Sequence, residues 1–437
     1  MPTITLQVGQ CGNQLGNTFW ELLQRQKEQW GHGLLAREWF AERHSTATSG
    51  SNEPLLYPRL ICVDSEAKVA GSWGGSSSSS IAPHQLHILG HAGCGNNWAC
   101  GYHFGVSKPK QRGAAWSSST EEHQNSQVEQ VMEGIRREAE AAAGAVDFLL
   151  LASLAGGTGS GTGSALLQEL ADQFPASTLA AVAVAPGRTG DSPVQSINSC
   201  LAMQHLSQHA HAVLLLDNQA LLDQLSSEAR SSSNSSSSNS SSSSSAASQG
   251  QPRLVRKPAG AASNAPSPPA AAAAVLRGAC LAGVNRLAAE ALAGLLWPLS
   301  QQDALAGRSS VRQLVATVCA DPLTKCVEVC SLSWPAAACG STDDTWSNRV
   351  KQLSSRLPKF DLHNPRFRGQ QGEPSLTAAV RRSSTGSFMR AAAESTLRLC
   401  QAGAYMHWYE QYGCSRHDIM AAADGTYDQA EAYLGLC

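Results

Sequence analysis

Residues 154–164 read LAGGTGSGTGS, with glycine at five of eleven positions. Composition alone suits either a flexible linker or a loop that holds a ligand, and the flanks decide between them. Before it, VDFLLLASLA (146–155) is an apolar run of strand length, the pattern of a strand buried on both faces. After it, SALLQELADQF (164–174) sets Leu166, Leu167, Leu170 and Phe174 at helical spacing. The glycines therefore occupy a strand-to-helix turn. Glycine there lets backbone N–H groups approach a ligand, and the following helix N-terminus favours an anion.

Two familiar phosphate loops are excluded. GxxxxGK[ST] fails because no lysine follows, and GxGxxG from Gly157 and Gly159 fails because position 162 is Thr162. A cradle of backbone N–H groups, helped by the Thr158 and Ser160 hydroxyls, remains.

The 437 residues allow two or three domains, and 42% hydrophobic residues suffice for a sizeable core. A net charge of −2 argues against a nucleic-acid partner. MPTITLQVGQ (1–10) alternates like a strand and lacks the parts of a signal peptide. With no 18-residue apolar run, no membrane span is expected. The thirteen cysteines are scattered and form no CxxC pair, which argues for reduced cytosolic thiols rather than zinc. The run SSSNSSSSNSSSSSS (231–245), followed by Ala/Pro-rich sequence to Ala274, is expected to be a disordered insertion over 228–276. SSSSS (76–80) marks a second loose loop.

Strand and helix patterns alternate up to residue 223. Strands are expected at 4–8, 59–64, 148–153, 179–186 and 212–217, with helices at 13–30 and 128–142. The fold class is α/β, a mostly parallel sheet with helices on both faces. Ligands of such sheets sit at the carboxyl ends of the strands. The loops there are GQCGNQ (9–14), DSE (64–66), AGGTGSG (155–161), PGRTGD (186–191) and DN (217–218).

In this order the loops resemble those of tubulins. ITLQVGQCGNQLGNTFWELL is similar to the family's first nucleotide loop, CVDSEAKV to the second, HAGCGNNWACGY to the third and SLAGGTGSGTGS to its signature glycine loop. The resemblance covers about 220 N-terminal residues. It resumes at VNRLAAEALAGLLWP (284–298), like the start of the family's core helix, and in AYMHWYEQYG (404–413). GNNWACGY, NRLAAEAL and an end at Leu436–Cys437 without an acidic tail resemble the delta-tubulin branch most.

That resemblance implies a GTP-binding domain over 1–227 and a core helix over 277–300. It also implies a reduced α+β second domain over 301–386 and C-terminal helices over 387–437. It implies GTP or GDP with Mg²⁺ as ligands. Gln10 and Cys11 would lie under the nucleotide, and Asn96 would face the γ-phosphate. Ser153, Gly157, Thr158 and Gly159 would cradle the other phosphates. Asp191 would take the ribose, while Asn218 and Asn285 would read the guanine edge. Asp64 and Glu66 would hold Mg²⁺, which uses one or two carboxylates and keeps several waters. Implied partners are other tubulins and microtubule or centriole proteins, in the cytoplasm, cytoskeleton and centriole or basal body.

Four features depart from the family. Leu281 stands where an aromatic would stack on guanine. Gly93 stands where some relatives carry an acid. The insertion replaces the loop feeding the core helix, and the second domain is short of strands, which removes lateral-contact elements. A further substitution affects hydrolysis. Gln313 occupies the place, just after the core helix, of the acid that acts on the next subunit's GTP. At most a weak GTPase is implied. Two other readings stay open. One is a tubulin-like interaction module without polymerisation or hydrolysis. The other is a dinucleotide enzyme on a Rossmann sheet, against which the failed GxGxxG register speaks.

Overall fold

The computed structural model describes residues 1–30, 36–43, 55–66, 81–89, 93–106, 127–142, 144–187, 192–226, 270–296, 310–319, 321, 324–333, 366–370 and 373–435. The strands are β1 (Thr3–Val8), β2 (Phe40–Arg43), β3 (Leu55–Pro58), β4 (Leu60–Asp64), β5 (Leu86–Ile88), β6 (Asp147–Ser153), β7 (Leu179–Ala185), β8 (Ala212–Asp217), β9 (Cys326–Ser333), β10 (Arg366–Gln370) and β11 (Glu373–Val380). The helices are α1 (Gly9–Trp30), α2 (Ala36–Trp39), α3 (Trp98–Val106), α4 (Gln127–Ala141), α5 (Gly163–Gln173) and α6 (Gln195–His209). Then follow α7 (218–226), α8 (Ala270–Leu296), α9 (Val311–Val318), α10 (Ser383–Gln401), α11 (Met406–Glu410) and α12 (Arg416–Leu434).

One nine-stranded sheet runs in the order β10-β11-β9-β8-β7-β6-β1-β4-β5, and β2 and β3 form a separate antiparallel pair. Every neighbour from β5 to β9 is parallel, while β11 and β10 close the far edge antiparallel. The sheet is covered on both faces, as the apolar strands require. Successive strand residues feed two separate cores. Phe148, Leu150, Ala181, Ala183, Val213 and Leu215 join the core packed by α4, α5, α6, α10 and α12. Leu149, Leu151, Ala180, Val182, Leu214 and Leu216 join the core packed by α1, α8 and α9.

The α/β alternation expected over the first 217 residues is present. The differences are local. Helix α1 begins at Gly9, not 13, because Gly9 adopts φ +74 and turns β1 straight into the helix. GQCGNQ is therefore a helical first turn rather than a loop. Helix α8 begins at Ala270, inside the range expected as the insertion. Residues 270–274 are alanines, the best helix formers, and they extend the helix toward its N-terminus. The rest of that insertion, 228–269, and the serine run at 76–80 lie outside the described residues. Region 301–386, read as a reduced second domain with little strand pattern, contributes β9, β11 and β10 to the edge of the main sheet.

Candidate functional site

Because β1, β4, β6, β7 and β8 are parallel and in register, their carboxyl ends align, with Val8 opposite Val63, Ser153 opposite Val184, and Ala185 opposite Asp217. The glycine stretch leaves β6 as a π-helical turn (Thr158–Thr162) that runs into α5. Its glycines interlock with neighbouring loops backbone to backbone. A Cβ on Gly157 would lie 2.7 Å from the Asn97 nitrogen and 2.8 Å from Cβ of Cys94. One on Gly161 would lie 2.6 Å from the Tyr102 nitrogen. One on Gly9 would lie 2.7 Å from the Gly159 nitrogen, and one on Gly159 would lie 3.3 Å from the Val8 carbonyl. Gly157 and Gly159 are thus small because protein backbone needs the space. Gly156 and Gly95 instead face open space, with no atom within 4 Å of an added Cβ.

Polar side chains tie the loops together. Asn13 on α1 donates to the Gly9 carbonyl (3.0 Å), the Val63 carbonyl (3.1 Å) and Asp64 Oδ2 (3.4 Å). The Ser65 and Thr158 hydroxyls share a 2.6 Å hydrogen bond that joins the loop after β4 to the glycine turn. Ser153 Oγ accepts from the Ala155 nitrogen. Asn198 on α6, fully buried, donates to the carbonyls of Asn96 and Ala155, both at 2.7 Å. Its Oδ1 accepts from the Trp98 nitrogen (2.9 Å) and the Tyr409 hydroxyl (2.7 Å). Asn97 Nδ2 donates to the Trp408 carbonyl at 2.6 Å.

The electrostatics suit an anion. Neither α1 nor the glycine turn carries an acidic residue in its own first turn, so the N–H dipoles of two helix N-termini are not offset from within their helices. Asp64 is the buried carboxylate here. Burial raises its pKa, against hydrogen bonds from the Glu66 and Ser65 backbone and Asn13 that lower it. A bound cation would stabilise the ionised form that burial disfavours. Glu66 is half-buried, and a Cβ on Gly93 would lie 2.6 Å from its Oε1. No cluster of three or more metal-binding side chains occurs among the described residues. A pair of carboxylates beside a helix N-terminus that favours an anion would suit Mg²⁺, which keeps several waters and uses one or two carboxylates.

The expected site residues fall as follows. Gln10 is exposed and Cys11 half-buried in the first turn of α1, with burial raising the Cys11 thiol to about 11. Asn96 is exposed at φ +55 in the turn before α3. Asp64, Glu66, Asn96, Ser153, Gly157, Thr158 and Gly159 belong to the interlocked loops. Asn218 and Asn285 are half-buried on α7 and α8, two helices that meet where a Cβ on Gly283 would lie 2.8 Å from Leu225 Cδ2. Leu281, in the stacking position, is 53% exposed. Asp191 lies outside the described residues.

Asn13, Ser65, Asn97 and Asn198 were not singled out from the sequence as functional. Asn13 and Asn97 lie inside quoted motifs. Asn198 had no such marker, since Ser196 through Met203 are all buried and periodicity cannot select one of them.

The Tubulin/FtsZ family GTPase domain matches this chain over residues 2–107 and 103–226, together 225 of 437 residues. Among the described residues no helix is long and apolar enough to cross a membrane.

Proposed function

The chain belongs to the Tubulin/FtsZ family, and from that premise we propose that it is a delta-type tubulin using these loops to hold GTP or GDP with Mg²⁺. Members of the family bind guanine nucleotides with Mg²⁺ and associate with other tubulins. The observation that carries the site reading is the meeting of two acid-free helix N-termini with Gly95 and Gly156, whose faces are open. Asp64 and Glu66 would hold the Mg²⁺, which would offset phosphate charge. Gln10, Cys11, Asn96 and the Ser153–Gly159 segment would surround the phosphates, Asp191 the ribose, and Asn218 and Asn285 the guanine. The test is acid precipitation of the purified chain and chromatography of the released nucleotide. Stoichiometric guanine nucleotide is expected, and a nicotinamide dinucleotide or an empty chain would sink the reading.

The delta assignment is supported by GNNWACGY (95–102) and NRLAAEAL (285–292) and implies work in centriole and basal-body microtubules of cilia. A tagged chain should concentrate at basal bodies of ciliated cells, and a uniform distribution counts against it.

Gln313 supports a second element of the reading. It is exposed on α9, whose neighbouring Arg312 reaches Asp147 at the amino end of β6, opposite the nucleotide loops. An exposed residue there can meet the nucleotide face of a subunit stacked below. A glutamine orients water but cannot take its proton. The chain would then cap GTP-loaded tubulin without triggering hydrolysis. A general base contributes ~10²–10⁴-fold, so Gln313→Glu should speed phosphate release from GTP-loaded dimers. Fast release by the unaltered chain, or no response to the change, would overturn it.

A further inference from the structure

Asn198 sits between two nucleotide loops and uses its whole side-chain amide to do so. Its two N–H groups go to the carbonyls of Asn96 and Ala155, and its oxygen accepts from Trp98 and Tyr409. Asn96 stands in the left-handed region, which few non-glycine residues adopt, so its carbonyl is aimed by a constrained backbone. Ala155 immediately precedes Gly156 and Gly157. The 94–97 turn and the start of the glycine turn, packed together at Gly157, are therefore also tied by one buried amide.

The fourth partner comes from far along the chain. Tyr409, also fully buried, is 211 residues away and lies in α11 of the C-terminal region. The residue before it is tied to the same loops, because Asn97 donates to the Trp408 carbonyl. The segment carrying both has left-handed backbone at Gly403, Tyr405 and Gly413. Of the three, only Tyr405 is a non-glycine residue held at positive φ, a conformation that persists where the surrounding structure fixes it.

We propose that Asn198 and Tyr409 are positioning residues for the nucleotide, and that through them the 403–413 turn is coupled to occupancy of the nucleotide loops. The inference rests on the guanine-nucleotide reading above. Neither residue needs to touch the nucleotide. Asn198 holds two phosphate-facing loops at fixed separation, and Tyr409 fixes the orientation of Asn198. Coupling between sites is reciprocal: if Tyr409 helps the loops to bind nucleotide, nucleotide must tighten the turn that holds Tyr409.

The test uses the full chain, a fluorescent GTP analogue and amide hydrogen exchange. Tyr409→Phe removes one hydroxyl and keeps the ring that fills the core. It should weaken nucleotide binding roughly threefold to tenfold, the usual effect of losing one buried hydrogen bond. In the unaltered chain, nucleotide should slow exchange in 406–413 as well as in 156–163. In Tyr409→Phe at saturating nucleotide, only 156–163 should remain protected. A role confined to stability would lower the unfolding midpoint without making protection at 406–413 depend on nucleotide. Asn198→Ala should weaken binding more, and Tyr409→Phe covers the case in which that variant does not fold. Unchanged affinity in Tyr409→Phe, or no nucleotide-dependent protection at 406–413 in the unaltered chain, overturns the inference. An unaltered chain that binds no guanine nucleotide removes the functional reading first, and this inference with it.

Discussion

The two ends of the parallel strands are closed by different chemistry. At the amino ends, charged and polar side chains staple the loops. Asp147 accepts from the Thr178 nitrogen and from Arg312, both at 2.8 Å, and Arg312 also donates to the Ala176 carbonyl. Lys325 donates to the carbonyls of Ser207 and Ala210. At the carboxyl ends, loops touch through Gly9, Gly157, Gly159 and Gly161, and the polar ties come mainly from neutral amides and hydroxyls. Long charged side chains would fill the space beside the loops, and acidic ones would offset the positive helix N-terminal dipoles. Glycine packing gives rigidity while leaving one side of each loop open.

The contrast breaks most sharply between two adjacent glycines. Gly157→Val drives a side chain into Asn97 and Cys94 and should cost about 3 kcal/mol, the upper range for overpacking. At Gly156 an added Cβ meets no protein atom within 4 Å, so Gly156→Val starts from open space. It should leave the denaturant midpoint near that of the unaltered chain while weakening nucleotide binding on the order of a hundredfold, about 2.7 kcal/mol. Equal midpoints for the two variants would dissolve the distinction. At the other end, Asp147→Ala strands the Thr178 nitrogen and separates Arg312 from its carboxylate. It should cost about 2 kcal/mol of stability with nucleotide affinity per folded molecule unchanged. A matching loss of affinity would mean that the two ends are not independent.

The smallest effect concerns acid. His205 lies against Trp98 and Tyr102 of α3, with ring centroids 5.3 and 5.1 Å away. Burial, then the neighbouring His209, lowers its pKa from 6.5 to about 4. The unfolded chain takes up that proton first, so the stability present above pH 6.5 falls as the pH drops toward 4. The loss should be on the order of 1 kcal/mol after solvent screening. Urea midpoints between pH 7 and 4 should fall, and His205→Phe should flatten the slope. An equal slope in that variant would assign the acid sensitivity elsewhere.

The sheet was legible in the sequence wherever both faces of a strand are buried, because VDFLLLAS or LAAVAVAP admits few other placements. The first turn of α1 was not, since it depends on Gly9 at positive φ, which glycine permits but does not announce. The hairpin β10–β11 was not either. Its sequences RFRGQ and EPSLTAAV are polar or carry proline, and pairing with β9, Leu376 opposite Leu332, supplies the context. Within the site, glycines and acids stood out by type and spacing. The amides that set distances between loops did not, because a buried Asn in a helix buried nearly all round has no periodicity of its own.

The pairing of β9 beside β8 bears on the order of assembly. β1 to β8 lie within the first 217 residues, while β9 begins at 326, more than a hundred residues after β8 ends. During synthesis the parallel sheet can form up to β8 long before its next strand emerges. Until then β8, with Val213 to Leu216 all apolar and its edge N–H and C=O groups unpaired, is a template for any other strand. The family match ends at 226, yet a chain cut there would keep the nucleotide loops and lose the strand that seals the sheet. Such a fragment also lacks Asn285 and the helices α8, α10 and α12 that cover the two faces of the sheet, and it should self-associate, so nascent chains of this protein depend on holding that edge apart until the distant strand arrives.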